Sequence, residues 1–196
     1  MTRKSWKPKR QPELDAPTEI ESVEVDAAEI EPEELRRQAY HAAVRLLSRR
    51  DHSSAELKKK LGSRQYRGLS FDEAAIDEAI AQLTTEGYLD DRRVAAHMAE
   101  LRYAAGYGPR AIRAKLMERG FNSGDVGDAL ELLEDEVGLD WVAHAQNTLS
   151  KRFSAADIAS REPRMEGRIA RSLQSRGFSS GDALRALQAA RSYSVS

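Results

Sequence analysis

A chain of 196 residues with 32% charged residues, 6% aromatics and no cysteine favours helix over sheet, and excludes disulfides, thiol catalysis and thiolate metal sites. No stretch approaches the roughly 18 apolar residues of a membrane span, and the N-terminus has no apolar signal core, so the expected setting is the cytoplasm without a membrane partner. The net charge of −1 conceals a division: residues 1–10 hold five cations and no acid, whereas residues 11–34 hold ten acids and no cation.

In chain order, residues 1–32 come first. Pro8, Pro12, Pro17 and Pro32 fall here with no sustained apolar face, so this stretch reads as a disordered tail. It is either a passive solvated segment or an acidic competitor for basic surface elsewhere in the chain. Residues 33–89 form the first expected unit of three helices. Leu35, Ala39, Ala42, Ala43, Leu46 and Leu47 line the first helix, and Ser53–Glu56 has capping-box spacing before Leu57 and Leu61. Gly68 marks a turn, Ser70–Glu73 reads as a second capping box, and Ile76, Ala79, Ile80 and Leu83 recur at helical period before Gly87.

The second unit, residues 90–138, opens at Asp90 with Val94, Met98 and Leu101 facing inward; the third, residues 139–196, opens near Asp140 with Trp141, Ala145 and Leu149. Pro109 and Pro163 stand where a second helix should begin, because a missing N–H costs nothing there. The stretch Arg119-Gly120-Phe121-Asn122-Ser123-Gly124-Asp125 returns as Arg176-Gly177-Phe178-Ser179-Ser180-Gly181-Asp182, and the same displacement aligns Ile112 with Ile169 and Leu116 with Leu173. It reads as a helix stopped by Gly, a Phe packing back and a Ser cap opening the next helix. The expected fold is all-α: three tandem three-helix repeats packed into an elongated, curved body.

Charge repeats with the units. The second helices are basic, with Lys58, Lys59, Lys60, Arg64 and Arg67 in unit one, Arg110, Arg113, Lys115 and Arg119 in unit two, and Arg164, Arg168, Arg171 and Arg176 in unit three. These thirteen residues are the candidate contacts for phosphates or for an acidic protein partner. The third helices of units one and two are acidic, with Asp72, Asp77 and Glu78 in one and Asp125, Asp128 and Glu131 in the other. That weighs against the alternative of a helix-turn-helix regulator whose last helix reads duplex DNA.

Catalytic patterns are missing. His41, His52, His97 and His144 lie in different elements without metal-ligand spacing, and there is no Gly-x-Ser-x-Gly, phosphate loop or dinucleotide fingerprint. The sequence therefore points to a non-enzyme with no cofactor and no metal.

Several stretches taken together resemble the RecX family: Ser54-Ala55-Glu56-Leu57 with Leu61, Gly87-Tyr88-Leu89-Asp90-Asp91-Arg92-Arg93-Val94, Gly106-Tyr107-Gly108-Pro109-Arg110-Ala111-Ile112 with Leu116 and Gly120, and Arg176-Gly177-Phe178. The resemblance spans residues 33 to about 190 and departs from the family pattern in the acidic tail and in the long segment Lys151 to Glu162. It implies tandem three-helix repeats, binding to RecA and its DNA filaments, and inhibition of strand exchange and filament-linked ATP hydrolysis, with no catalytic residues. Single-stranded DNA is a further candidate ligand, and the expected state is a monomer.

Overall fold

The structure, a computed structural model, describes residues 30–137 and 140–193. All of the expected tail except Ile30, Glu31 and Pro32 lies outside the described residues. Unit one contains α1 (Pro32–Leu47), α2 (Ser54–Gly62), a hairpin of β1 (Gln65–Tyr66) and β2 (Leu69–Ser70), and α3 (Glu73–Thr85). Unit two contains α4 (Asp91–Ala104), α5 (Pro109–Glu118) and α6 (Ser123–Val137). Unit three contains α7 (Trp141–Ser150), the short α8 (Ala155–Ala159), α9 (Pro163–Ser175) and α10 (Ser180–Tyr193). No helix among the described residues is long and apolar enough to cross a membrane.

Each unit encloses its own core. Ala39, Ala43, Leu57, Leu61, Ile76 and Leu83 fill the first, Val94, Ala99, Ile112, Leu116, Phe121 and Val126 the second, and Ala145, Leu149, Ile169, Leu173, Phe178 and Ala186 the third. A buried large apolar side chain contributes about 1.5–3 kcal/mol, so a small core built partly of alanine leaves a unit marginal by itself. Contacts between neighbouring units therefore carry weight.

The repeated Arg-Gly-Phe stretches end α5 and α9 in the same way. Gly120 and Gly177 take positive φ of 86° and 89°, and the Phe121 and Phe178 amides donate to the Leu116 and Leu173 carbonyls. This closes each helix while driving the phenylalanine into its core.

Four local readings need correction. Leu101 is exposed, because the inward face of α4 is Val94, Ala95 and Ala99, small residues that let α4 lie against α6. The cap of α3 is Asp72, whose carboxylate accepts from the Ala75 amide at 2.6 Å, and Ser70 instead pairs with Gln65 in the hairpin. Asn122 caps α6 in place of Ser123, accepting from the Asp125 amide. The capping box at Ser53 is half formed: Ser53 Oγ accepts from the Glu56 amide, but the Glu56 carboxylate turns to the cations around it.

The hairpin and α8 were not expected. Arg67 and Gly68, at φ 49° and 82°, make the tight turn that joins two-residue strands. α8 occupies the long segment after α7; Ser154 and Asp157 form a full capping box, and Ile158 is buried in the third core.

Candidate protein and nucleic-acid interface

The second helices of the three units meet end to end. At the junction of units two and three the N-terminus of α5 has no side-chain cap, since its N-cap is Gly108. The end of α9 supplies what is missing: the Gly108 amide donates to the Arg176 carbonyl at 2.8 Å and the Arg110 amide to the Gly177 carbonyl at 3.2 Å. Unsatisfied donors of one helix face unsatisfied acceptors of the next.

The junction of units one and two repeats the arrangement with a side chain. Ser53 Oγ, at the N-terminus of α2, donates to the Arg119 carbonyl at the end of α5, 2.5 Å away. In chain direction, then, α9 leads into α5 and α5 into α2. The three second helices thus form a head-to-tail column joined at two points.

Both arginines that follow a second helix are drawn into these joints. Arg119 sets its Nη2 2.9 Å from Glu56, and the same nitrogen donates to the Asp51 carbonyl at 3.4 Å. Arg176 donates from Nη1 to the Ala105 and Gly106 carbonyls at 2.8 and 3.2 Å, and lies over the Tyr107 ring at 4.9 Å. Both are half-buried, so among the candidate contacts they hold neighbouring units together and do not stand on the outer face.

The other candidates divide into free and engaged groups. Arg110, Arg113, Arg164 and Arg171 are exposed, with no ion pair among the described residues, and so is Arg168, which also lies over the Phe153 ring at 5.6 Å. Lys59 is exposed and Lys60 half-buried, both lining a notch at the first joint. Lys58 is tied to Asp77 at 2.5 Å and Lys115 to Glu118 at 2.8 Å. Arg64 and Arg67 do not belong to α2, which ends at Gly62; they stand on the hairpin just beyond its end.

Glu56 gathers charge at the first joint. Burial pushes its carboxyl up, but the hydrogen bond from Arg50 and the charges of Arg119, His52 and Arg50 outweigh burial and hold it down at about 2. His52 Nδ1 lies 3.2 Å from the same carboxylate without hydrogen-bond geometry, and desolvation, with the charge of Arg50, pushes this imidazole down.

Three cations that the sequence reading did not single out belong to the second joint. Lys151 and Arg152 line a notch beside Arg176, and Arg102 also lies over the Tyr107 ring, 5.0 Å from its centroid. Lys151 and Arg152 stand outside the second helices, so a search for the repeated stripe passes over them.

Comparison with known proteins agrees with this architecture. Residues 39–83 match the model of the first three-helix domain of RecX and residues 90–130 that of the second. The chain is 36% identical over 138 residues to the regulatory protein RecX of Pseudomonas fluorescens strain SBW25, covering 70% of this chain and 81% of that one. It is also 36% identical over 149 residues to regulatory protein RecX of Halorhodospira halophila, covering 76% and 85%. The crystal structure of RecX from Lactobacillus salivarius has the same fold, with a TM-score of 0.67 at 23% identity over 81% of this chain and 97% of that one. Tandem units, joint-forming Arg-Gly-Phe stretches and these relatives together place the chain in the RecX family of regulatory proteins.

Proposed function

We propose that this chain binds RecA filaments on DNA and restrains recombinase activity, slowing strand exchange and filament-linked ATP hydrolysis without catalysing a reaction. The partner is inferred from the family. The observation that carries the mode of binding is the head-to-tail joining of α9 to α5 and of α5 to α2, because it brings three separate basic helices into succession. A succession of that kind suits a partner whose negative charge also repeats, such as a DNA backbone or an acidic filament groove. Occupying the groove would impede DNA entry or the motions between protomers that accompany ATP hydrolysis. The proposed contacts are the exposed members of the column, Lys59, Arg110, Arg113, Arg164, Arg168 and Arg171, with Arg64 and Arg67 extending it.

The test is titration of the purified protein into RecA on single-stranded DNA, following ATP hydrolysis and strand exchange. Charge reversal of Arg110 and Arg113 together, and separately of Arg164, Arg168 and Arg171, should raise the concentration needed for inhibition about tenfold or more, since several modest contacts are lost at once. Changing the exposed acids Glu73, Glu131 and Asp135, which have no ion pair among the described residues, to Ser should alter inhibition little. Sequence-selective duplex binding with no effect on RecA would replace this reading with the helix-turn-helix alternative.

A further inference from the structure

We infer that the notch between units two and three is a phosphate-binding site, and that its ligand is a backbone phosphate of single-stranded DNA. The notch holds about 250 Å³ and is lined by Gly106, Thr148, Lys151, Arg152 and Arg176, with no carboxylate among its lining residues. Arg176 is half-buried and fixed by two backbone carbonyls, which orient the guanidinium but do not neutralise it. Its remaining donors have no partner among the described residues. The contrast with its counterpart is direct: Arg119 at the first joint has Glu56 at 2.9 Å.

A half-buried cation without a counter-ion is costly, and two further cations lining the same wall raise that cost. Lys151 and Arg152 are exposed and unpaired among the described residues, so they are free to close on an anion. Gly106 keeps the floor open, since a Cβ there would lie 3.1 Å from Thr148 Oγ1 and 3.3 Å from Arg176 Nη1. Lysine, two guanidinium groups and a hydroxyl suit a tetrahedral oxyanion, for which guanidinium supplies paired donors. The notch adjoins the α9 to α5 joint, so a strand following the column would pass it. The inference rests on the filament reading above only in naming DNA as the source of the phosphate.

The experiment uses the full chain labelled with nitrogen-15 and two probes, an oligothymidylate 20-mer and inorganic phosphate, at low salt. The oligonucleotide should shift the amides of Gly106, Thr148 and Arg152 saturably, and should displace inorganic phosphate when both are present. The double variant Lys151→Gln, Arg152→Gln should bind the 20-mer about tenfold more weakly, with the slope of log affinity against log salt shallower by about 1.4, the value for two lost single-strand contacts. An unchanged slope, silent notch amides, or a notch that answers inorganic phosphate and not the oligonucleotide would overturn the proposal. The RecA assay separates the two readings. A chain that leaves RecA unaffected while its notch answers DNA loses the function proposed above and keeps this site, whereas inhibition of RecA with a silent notch does the reverse.

Discussion

The two joints of this molecule solve one geometric problem with different chemistry. Each places the end of a second helix against the start of the preceding unit's second helix, and each uses an Arg-Gly pair to do so. The first joint is polar: Ser53 bonds the Arg119 carbonyl, Glu56 gathers Arg50 and Arg119, and Asp91 accepts from the Ser54 amide at 2.8 Å. The second is aromatic: His144 stacks on Tyr103 at 3.9 Å, with Trp141 and Phe178 against the same imidazole. Asp91 and Trp141 open their leading helices at the same position, directly after an Asp cap. The exchange of acid for indole at this position, together with Val94 giving way to His144 three residues on, marks the division. The polar joint neutralises its arginine internally, and the aromatic joint leaves its arginine for a ligand.

Closing a joint with backbone contacts makes it intolerant of a methyl group, and the aromatic joint is the tighter one. A Cβ on Gly177 would lie 2.2 Å from the Ala111 nitrogen, where only backbone movement gives relief, and Gly177, like Gly120, takes a positive φ. Gly177→Ala should cost more than about 3 kcal/mol. At Gly120 the nearest atom to an added Cβ is the Ala55 methyl at 2.8 Å, so Gly120→Ala should cost about 2 kcal/mol. Urea melts followed by circular dichroism and by Trp141 fluorescence, in a Trp6→Phe background, measure both. Equal losses would remove the distinction between the joints.

The polar joint should be the one sensitive to strong acid. Glu56→Gln strips Arg50 and Arg119 of their shared carboxylate and should destabilise the chain by about 2 kcal/mol, since one partner of a largely enclosed pair is lost. Because the Glu56 carboxyl is held at about 2, against 4.5 for an ordinary one, its stabilisation is fully present above about pH 4.5 and is lost as pH falls toward 2. Stability curves of the parent and Glu56→Gln should therefore converge over that window. A constant gap from pH 7 down to pH 2 would show that Glu56 does not act through its charge.

Much of the fold was legible because helical period and capping residues are local signals. Ile76, Ala79, Ile80 and Leu83 recur on one face and are buried together, and Pro109 and Pro163 do begin their helices. The repeated Arg-Gly-Phe was visible as a helix stop, but its second role, gripping the preceding unit, depends on which surface lies opposite, and spacing carries no trace of that. For the same reason Arg119 and Arg176 read as ordinary members of a basic stripe. Leu101 was misplaced because alanines, which carry little apolar signal, form the true inner face of α4. Arg191, which no local pattern sets apart, donates to the Ile158 carbonyl and pairs with Glu166 at 2.7 Å.

The smallest expected difference between the joints concerns mild acid. Each joint holds a buried histidine with one nitrogen lacking a hydrogen-bond partner among the described residues, His52 Nδ1 and His144 Nε2. Burial pushes both imidazoles down from 6.5, so the folded chain favours the neutral ring; stability is full above about pH 6.5 and falls as pH drops below it, because opened states take up the proton first. What happens on protonation differs. His52 then has the Glu56 carboxylate 3.2 Å away to receive its charge, although Arg50 and Lys60 oppose it. His144 has only a hydrogen bond to the Tyr107 backbone in its favour, with Lys151 repelling it. Between pH 7 and 5 the aromatic joint should loosen more than the polar one. Hydrogen exchange, corrected for intrinsic rates, should show the Arg110 amide, bonded to Gly177, losing about threefold more protection than the Ser54 amide, bonded to Asp91. His144→Phe keeps an aromatic ring against Tyr103 and removes the titrating group, so it should flatten the response at Arg110 and leave that at Ser54 unchanged. Equal responses at the two amides in the parent chain would mean that Glu56 gives His52 no advantage.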